Sequence, residues 1–363
     1  MRRRPATSLH DAGAAGTWLL VYALSIIYVS LTPFTGWDEI AGAHFTWPRW
    51  PRYFTFFDVL INVFAYIPLG FFAYLFLRPR LGPRTAAIFS MLAGCALSLA
   101  MELLQQFLPT RISSTLDLLT NVGGTIIGVA LTAWFAWTPH FELVNNLRDR
   151  IFIKGRLAHL GQLLLALWFI TQLNPSIPFL GAGNVMNMLL EPWNSRVDAA
   201  AFWIPQAAGM ALNFCGIALF ISLLIQRALK PAWFAVGILT LALIIKTGAA
   251  VMLLKEPLIP NWLGRETLAG LIGGIVLLLM FSSLRRRQRL IVAGLIILAG
   301  GVMSKLAAIY DSPTEILRVF KWPYGQLLNF TSLTQFINEA WPLAALAYLI
   351  YVHRHQEYWP ETR

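Results

Sequence analysis

The sequence predicts an all-α membrane protein, a polytopic bundle of about ten transmembrane helices with both ends on the cytoplasmic side. Three observations carry that expectation. Of 363 residues, 57% are hydrophobic and 12% are charged, against about 25% charge in an average soluble domain. Apolar stretches long enough to cross hydrocarbon as helices recur along the whole chain. Basic residues gather in alternate loops between them, as membrane orientation requires. The net charge of +11 therefore reads as orientation, and no nucleic-acid partner is expected.

The apolar stretches fall near 17–34, 58–77, 85–107, 115–137, 157–174, 201–225, 232–253, 266–284, 290–309 and 333–352. The first follows Arg2-Arg3-Arg4, exceeds the core of a signal peptide and lacks a small-x-small cleavage site, so it reads as a retained span. With the N-terminus inside, the cytoplasmic segments carry Arg2-Arg3-Arg4, then Arg78 to Arg84. Next come Arg148/Arg150/Lys154/Arg156, Arg227/Lys230, Arg285 to Arg289, and Arg354. The outer loops hold the acids Asp38, Glu39, Glu191, Asp198, Glu256, Asp311 and Glu315. The expected location is a membrane crossed many times, with both termini cytoplasmic. Cys95 and Cys215 lie in apolar runs and read as small buried hydrophobes.

An internal repeat organises the spans. Residues 45–75 and 320–349 both begin Phe-x-Trp-Pro, carry Asn62 or Asn338, follow it with Pro68 or Pro342, and end Ala-Tyr-Leu. "LPTRISSTLDLLTNVGGTIIG" from 108 pairs with "IPNWLGRETLAGLIGGIVLLL" from 259, and Asn213 falls where Asn62 would in a second copy. The expected divisions are a basic N-terminus at 1–16, a four-helix unit at 17–137, and a basic linker at 138–156. A degenerate second four-helix unit at 157–289, a two-helix partial repeat at 290–352 and a tail at 353–363 follow.

Polar residues are few and concentrated. Asp58 and Asn62 are four apart at the start of the second span, hence on one helical face. Asp117 and Asn121 repeat that spacing in the fourth span, and Glu102 and Gln105 stand one turn apart near the end of the third. Arg111 lies in the short loop between the third and fourth. The topology places all of these at one depth, near the outer interface. A charge deep in a bilayer costs about 2.5–3.5 kcal/mol on insertion scales, so Glu102 should be paired or face a wet cavity. The alternative for each residue is structural: helix-terminal acids at Asp58 and Asp117, an interfacial anchor at Arg111, packing glycines at 123, 124 and 128. Lys246, mid-span in the seventh stretch, reads either as a second-half contributor to a site or as one partner of a buried pair. Catalytic, phosphate-binding and metal-binding motifs do not occur, and neither a cofactor nor a metal is expected.

These residues carry a resemblance. An Asp–x3–Asn–x5–Pro–x–Gly helix is met by Asp58, Asn62, Pro68 and Gly70. A Glu–x2–Gln pair, a turn Arg and an Asp–x3–Asn–x2–Gly helix are met by Glu102, Gln105, Arg111, Asp117, Asn121 and Gly124. In this the chain resembles the VanZ-like family of bacterial membrane proteins over about residues 17–137. The second copy departs from the pattern, with Gly270 or Leu271 near the place of Asn121. The resemblance implies an envelope protein, the family taking its name from one that confers low-level teicoplanin resistance without altering the peptidoglycan precursor.

The leading functional expectation is an outward-facing polar cleft that binds a membrane lipid, a lipid-linked glycan or a glycopeptide-type head group. Arg111 would meet an anionic group, Asn62 and Asn121 would hydrogen-bond it, and the acids would orient Arg111. The alternative is an intramembrane enzyme acting on a lipid-linked substrate, with Glu102 or Asp117 as general acid or base; the missing nucleophile and metal set weigh against it. A transporter or flippase, built on parallel repeats, ranks third.

Overall fold

The computed structural model describes residues 9–32, 34, 36–37, 47–109, 111–136, 138–175, 177, 179–180, 203–226, 230–254, 265–308 and 326–355. Among them the chain is helical, with eleven helices and no extended sheet. They are α1 (Leu9–Leu31), α2 (Phe56–Leu81), α3 (Pro83–Gln105), α4 (Thr115–Phe135), α5 (Pro139–Ile151) and α6 (Arg156–Thr171). The rest are α7 (Trp203–Leu224), α8 (Pro231–Leu253), α9 (Arg265–Ser282), α10 (Arg286–Ala308) and α11 (Gln326–Arg354).

Ten of these overlap the ten apolar stretches. Seven helices (α1, α2, α3, α4, α7, α8 and α10) are long and apolar enough to cross a membrane. The apolar cores of α6 and α9, at 157–171 and 267–282, are shorter. Gln335, Asn338 and Glu339 dilute the first half of α11. The one helix without a counterpart among the stretches, α5, sits in the basic segment 138–156. Arg2-Arg3-Arg4 and the acids Asp38, Glu39, Glu191, Asp198, Glu256, Asp311 and Glu315, on which the loop-charge pattern partly rests, lie outside the described residues.

The chain divides into two compact units, Met1–Asn146 with Leu328–Leu333 and Leu147–Leu327 with Thr334–Arg363. In the first, α2 is central and packs most closely on α4. Glycine makes that approach possible. A methyl group at Gly124 would collide with the Val63 carbonyl, one at Gly128 with the Ile67 carbonyl, and one at Gly70 with the Thr125 carbonyl. Backbone meets backbone along nearly two turns, the small-residue packing that associates helices where no hydrophobic driving force separates protein from lipid. Gly94 on α3 similarly admits the Thr125 side chain. The α2–α3 turn passes through Gly82 at φ +78°, whose amide caps Arg78 O at 3.0 Å. α1 docks on the far side of α2: Trp18 stacks on Phe72 at 5.7 Å and Tyr22 donates to the Ala65 carbonyl at 2.8 Å.

The second unit is built around α7, which is apolar all round and almost wholly enclosed by its neighbours. α9 and α10 pack on it. A methyl at Gly274 would strike the Phe214 side chain, and one at Gly300 the Asn213 amide. Phe220 lies 5.6 Å from both Trp341 and Tyr348, whose polar tips donate to the Leu164 and Leu157 carbonyls at 2.7 and 3.0 Å. The glycine contacts keep a common register in the two units. Gly124 meets the residue after Asn62, and Gly274 meets the residue after Asn213.

Neighbouring glycines make opposite predictions. Gly124→Ala should destabilise the first unit by about 1–3 kcal/mol through backbone overpacking. Gly123 has nothing within 4 Å of a built methyl, so Gly123→Ala should be neutral or stabilise by up to about 1 kcal/mol. Thermal unfolding of the two purified variants in one detergent checks the signs.

Candidate functional site

Two helix starts and one helix end converge at the same end of the first unit. Thr55 caps α2: the Asp58 amide donates to Thr55 Oγ1 at 3.1 Å, while the Thr55 amide and hydroxyl donate to the Asp58 carboxylate at 3.2 and 2.7 Å. Ser114 caps α4 in the same way, accepting from the Asp117 amide at 3.3 Å. Both acids thus stand in a first turn, where the cap and the helix dipole favour negative charge. That is the structural role the sequence offered as the alternative for each. Asp58 is occupied by its cap. Asp117 does more, since Asn62 on α2 hydrogen-bonds its carboxylate and Asp58 lies close enough for the two charges to repel.

Glu102 comes to this pair from α3. Its side chain is only 3% exposed, and Oε2 accepts the Ser114 amide at 2.7 Å. The short turn after α3 therefore folds back so that the amide starting α4 satisfies the acid ending α3. Ser113 lies beside the same carboxylate, but its hydroxyl makes no well-formed hydrogen bond. One helical turn inward, Asn121 Nδ2 donates to Ser98 Oγ at 3.0 Å, and Thr125 donates to the Asn121 carbonyl at 3.0 Å. Tyr66 on α2 faces Ser98 and Glu102.

This cluster holds hydrogen-bonding capacity that the described residues do not use. Tyr66 Oη, Ser113 Oγ and Asn121 Oδ1 are buried and lack a partner of good geometry. Tyr66 is 4% and Asn121 7% exposed. Each unsatisfied buried group costs about 1–3 kcal/mol, and such groups are few in native interiors. Three within one small cluster mark a place where something polar belongs.

Arg111 does not join them. Its Nη2 donates to the carbonyls of Val29 at 2.9 Å and Thr32 at 2.8 Å, and Gln105 Nε2 donates to the Ser30 carbonyl at 3.0 Å. The expectation that the acids orient Arg111 is therefore corrected. α1 ends at Leu31 with carbonyls that its own helix leaves unpaired, and a cation at a helix C-terminus is favoured by both hydrogen bonding and dipole. Burial pulls the guanidinium below its usual pKa, without discharging it. The ion pairs among the described residues, Arg148–Asp149 and Lys154–Asp149, lie elsewhere. Among the described residues, Asp58, Glu102 and Asp117 form an acidic end without an ion-paired base. No group of three or more His, Cys, Asp or Glu is placed to hold a metal ion among the described residues.

Lys246 belongs to the second unit. It is fully buried and donates to the Asn174 carbonyl at 2.8 Å, while Asn174 Nδ2 donates to Thr334 Oγ1 at 2.8 Å. Of the residues expected in a site, the structure brings together Asp58, Asn62, Glu102, Asp117 and Asn121. It assigns Gln105 and Arg111 to the α1 terminus. Tyr66, Ser98 and Ser113 are additions. Tyr66 follows Asn62 by four and Ser98 precedes Glu102 by four, so helical spacing alone could have found both.

With the geometry in view, the sequence comparison is decisive for one part of the chain. The VanZ/LLP1 family model matches residues 11–136. This N-terminal third is similar to the VanZ/LLP1 family. No curated protein and no solved structure matches the chain. The VanZ-like match covers α1 to α4, the helices that assemble the acidic end, and stops before α5. Seven helices among the described residues are long and apolar enough to cross a bilayer, and four of them lie within the matched segment.

Because Arg111 holds α1 in place, Arg111→Ala should lower stability by about 2 kcal/mol, the scale of hydrogen bonds from a charged donor. Arg111→Lys should recover only part of that, since an ammonium lacks the planar fork. Thermal unfolding in detergent measures both.

Proposed function

We propose that the chain is a VanZ-like envelope protein of the bacterial inner membrane that binds the head group of a membrane lipid or lipid-linked glycan. In this reading it crosses ten times, with both termini cytoplasmic, through a VanZ-like four-helix unit, a degenerate second unit and a two-helix remnant. The polar end of α2, α3 and α4 then faces outward. Arg78, Arg80 and Arg84 lie at the opposite end of α2 and α3, in keeping with the positive-inside rule.

The observation that carries the proposal is the set of unsatisfied buried groups, Tyr66 Oη, Ser113 Oγ and Asn121 Oδ1, gathered beside Glu102. A bound head group would satisfy them. With Arg111 engaged at α1, the open positions are hydroxyls and oxygen acceptors rather than a cation. That chemistry suits a hydroxyl-rich glycosyl head group, which both donates and accepts, better than a bare phosphate. Glu102 would accept from the ligand, Asn121 would accept on its free amide oxygen, and Tyr66 and Ser113 would exchange hydrogen bonds with it. Binding there would affect surface polysaccharide or glycopeptide susceptibility by sequestering or presenting a lipid-linked intermediate.

Acid–base catalysis by Glu102 is the second reading, favoured by the hydroxyls of Tyr66 and Ser113 beside its carboxylate. Asp117, whose carboxylate is held by Asn62, fits that role less well.

In a deletion strain with a measurable envelope or teicoplanin-susceptibility phenotype, Asn121→Leu should fail to complement while reaching normal membrane levels. Glu102→Gln should retain much of the function if the site only binds, and lose it if Glu102 transfers a proton. Full complementation by Asn121→Leu would overturn the binding site itself.

A further inference from the structure

Helix α5 is unlike every other helix in the chain. It is 13 residues long, "PHFELVNNLRDRI", too short and too polar to cross a bilayer. At about 100° per residue, Leu143, Val144, Leu147 and Ile151 fill one arc of its surface. Arg150 falls at one border of that arc and Arg148 at the other. Asp149 lies on the opposite side. Apolar residues in the centre, cations at both edges and an acid at the back is the distribution of a helix lying in a membrane surface. There the arginine stems cover apolar area while their heads reach the phosphate layer.

The structure leaves three residues of that arc exposed, while Ile151 at its end is half-buried. Leu143 is 63% exposed, Leu147 54% and Val144 51%. Arg148 is held by Asp149 at 3.0 Å, and Lys154 reaches the same carboxylate at 3.0 Å. Asp149 is thereby shared between two cations, leaving the segment from α5 to Arg156 with more bases than acids. Burial nudges the Asp149 carboxyl upward, but Lys154 and Arg148 hold it below its usual pKa. Three residues separate the end of α4 from the start of α5, so α5 starts at the membrane face where α4 emerges.

We propose that α5 is an interfacial helix that docks on anionic phospholipid at the face where α4 leaves the bilayer. Leu143, Val144, Leu147 and Ile151 enter the head-group boundary, and Arg148 and Arg150 contact lipid phosphates. The helix joins the VanZ-like segment to the remainder of the chain, so docking ties that junction to the lipid composition of one leaflet. This inference is independent of any ligand at Glu102 and Asn121.

The test uses the full chain with Cys95 and Cys215 replaced by alanine. A single cysteine introduced by Leu147→Cys or by Asn145→Cys is labelled with an environment-sensitive nitrobenzoxadiazole dye. The protein is reconstituted in phosphatidylcholine vesicles with or without phosphatidylglycerol. The dye at 147 should shift to the blue, be quenched by brominated acyl chains, and respond more strongly with phosphatidylglycerol present; the dye at 145 should remain in water. Combining Arg148→Gln with Arg150→Gln should lower the docked-to-undocked ratio about fivefold per arginine, as expected for basic residues at an anionic surface. Equal water exposure at 145 and 147 would overturn the proposal. So would a shielded dye at 147 that brominated lipid does not quench, which would mean a protein surface covers the arc. Quenching indifferent to phosphatidylglycerol would overturn the anionic-lipid part. If the arginine variant does not fold, the two vesicle compositions decide the matter with the native arginines in place.

Discussion

The contact between α2 and α4 is the constraint on which the first unit depends. Gly70, Gly124 and Gly128 let two backbones touch where any larger residue would push a helix away. Because those glycines share a face with Asn62, Tyr66 and Asn121, the same approach that seals the helices together also presses their polar side chains against α3. Glu102 and Ser98 then find themselves facing groups from two other helices. The polar cluster is a product of close packing. It exists because small residues bring the polar ones within reach, and loosening the glycine seam would dissolve it without altering a polar residue.

Much of this was legible in the residues themselves. The four-residue spacing of Asp58 with Asn62, and of Asp117 with Asn121, placed each pair on one helical face, and the apolar runs overlap ten helices, with the starts of α1 and α11 the least well placed. What eluded a linear reading was the competition for Arg111. In sequence it stands among acids. In space it stands nearer to the carbonyls that α1 exposes at its end, and α1 lies about eighty positions away. Tyr66 was hidden for a different reason: amid Phe, Ala and Ile its ring looks like more core, and only the neighbours of its hydroxyl set it apart. The helix α5 escaped because its apolar face is short and its charges look like those of any cytoplasmic linker.

The second unit has its own glycine contacts and polar anchors. Asn213 bonds Ser304 Oγ at 2.7 Å, and Gly274 packs beside the following residue as Gly124 does after Asn62. Counted from the prolines that open α3 and α8, Lys246 stands at the place of Ser98 and Ala250 at the place of Glu102. Glycine contacts recur at these positions while the polar residues differ. Lys246 anchors the end of α6 through Asn174, a task that Gln105 and Arg111 perform for α1 in the first unit.

The account stands or falls on whether the cluster around Glu102 receives a ligand. Replacing Tyr66 with p-azidophenylalanine keeps the ring and puts a photoreactive group where the unpaired hydroxyl sits. Illumination of intact cells followed by mass spectrometry of the purified chain should yield an adduct carrying a glycosylated lipid. An adduct pattern confined to this chain's own residues and water, with the variant folded and in the membrane, would contradict it.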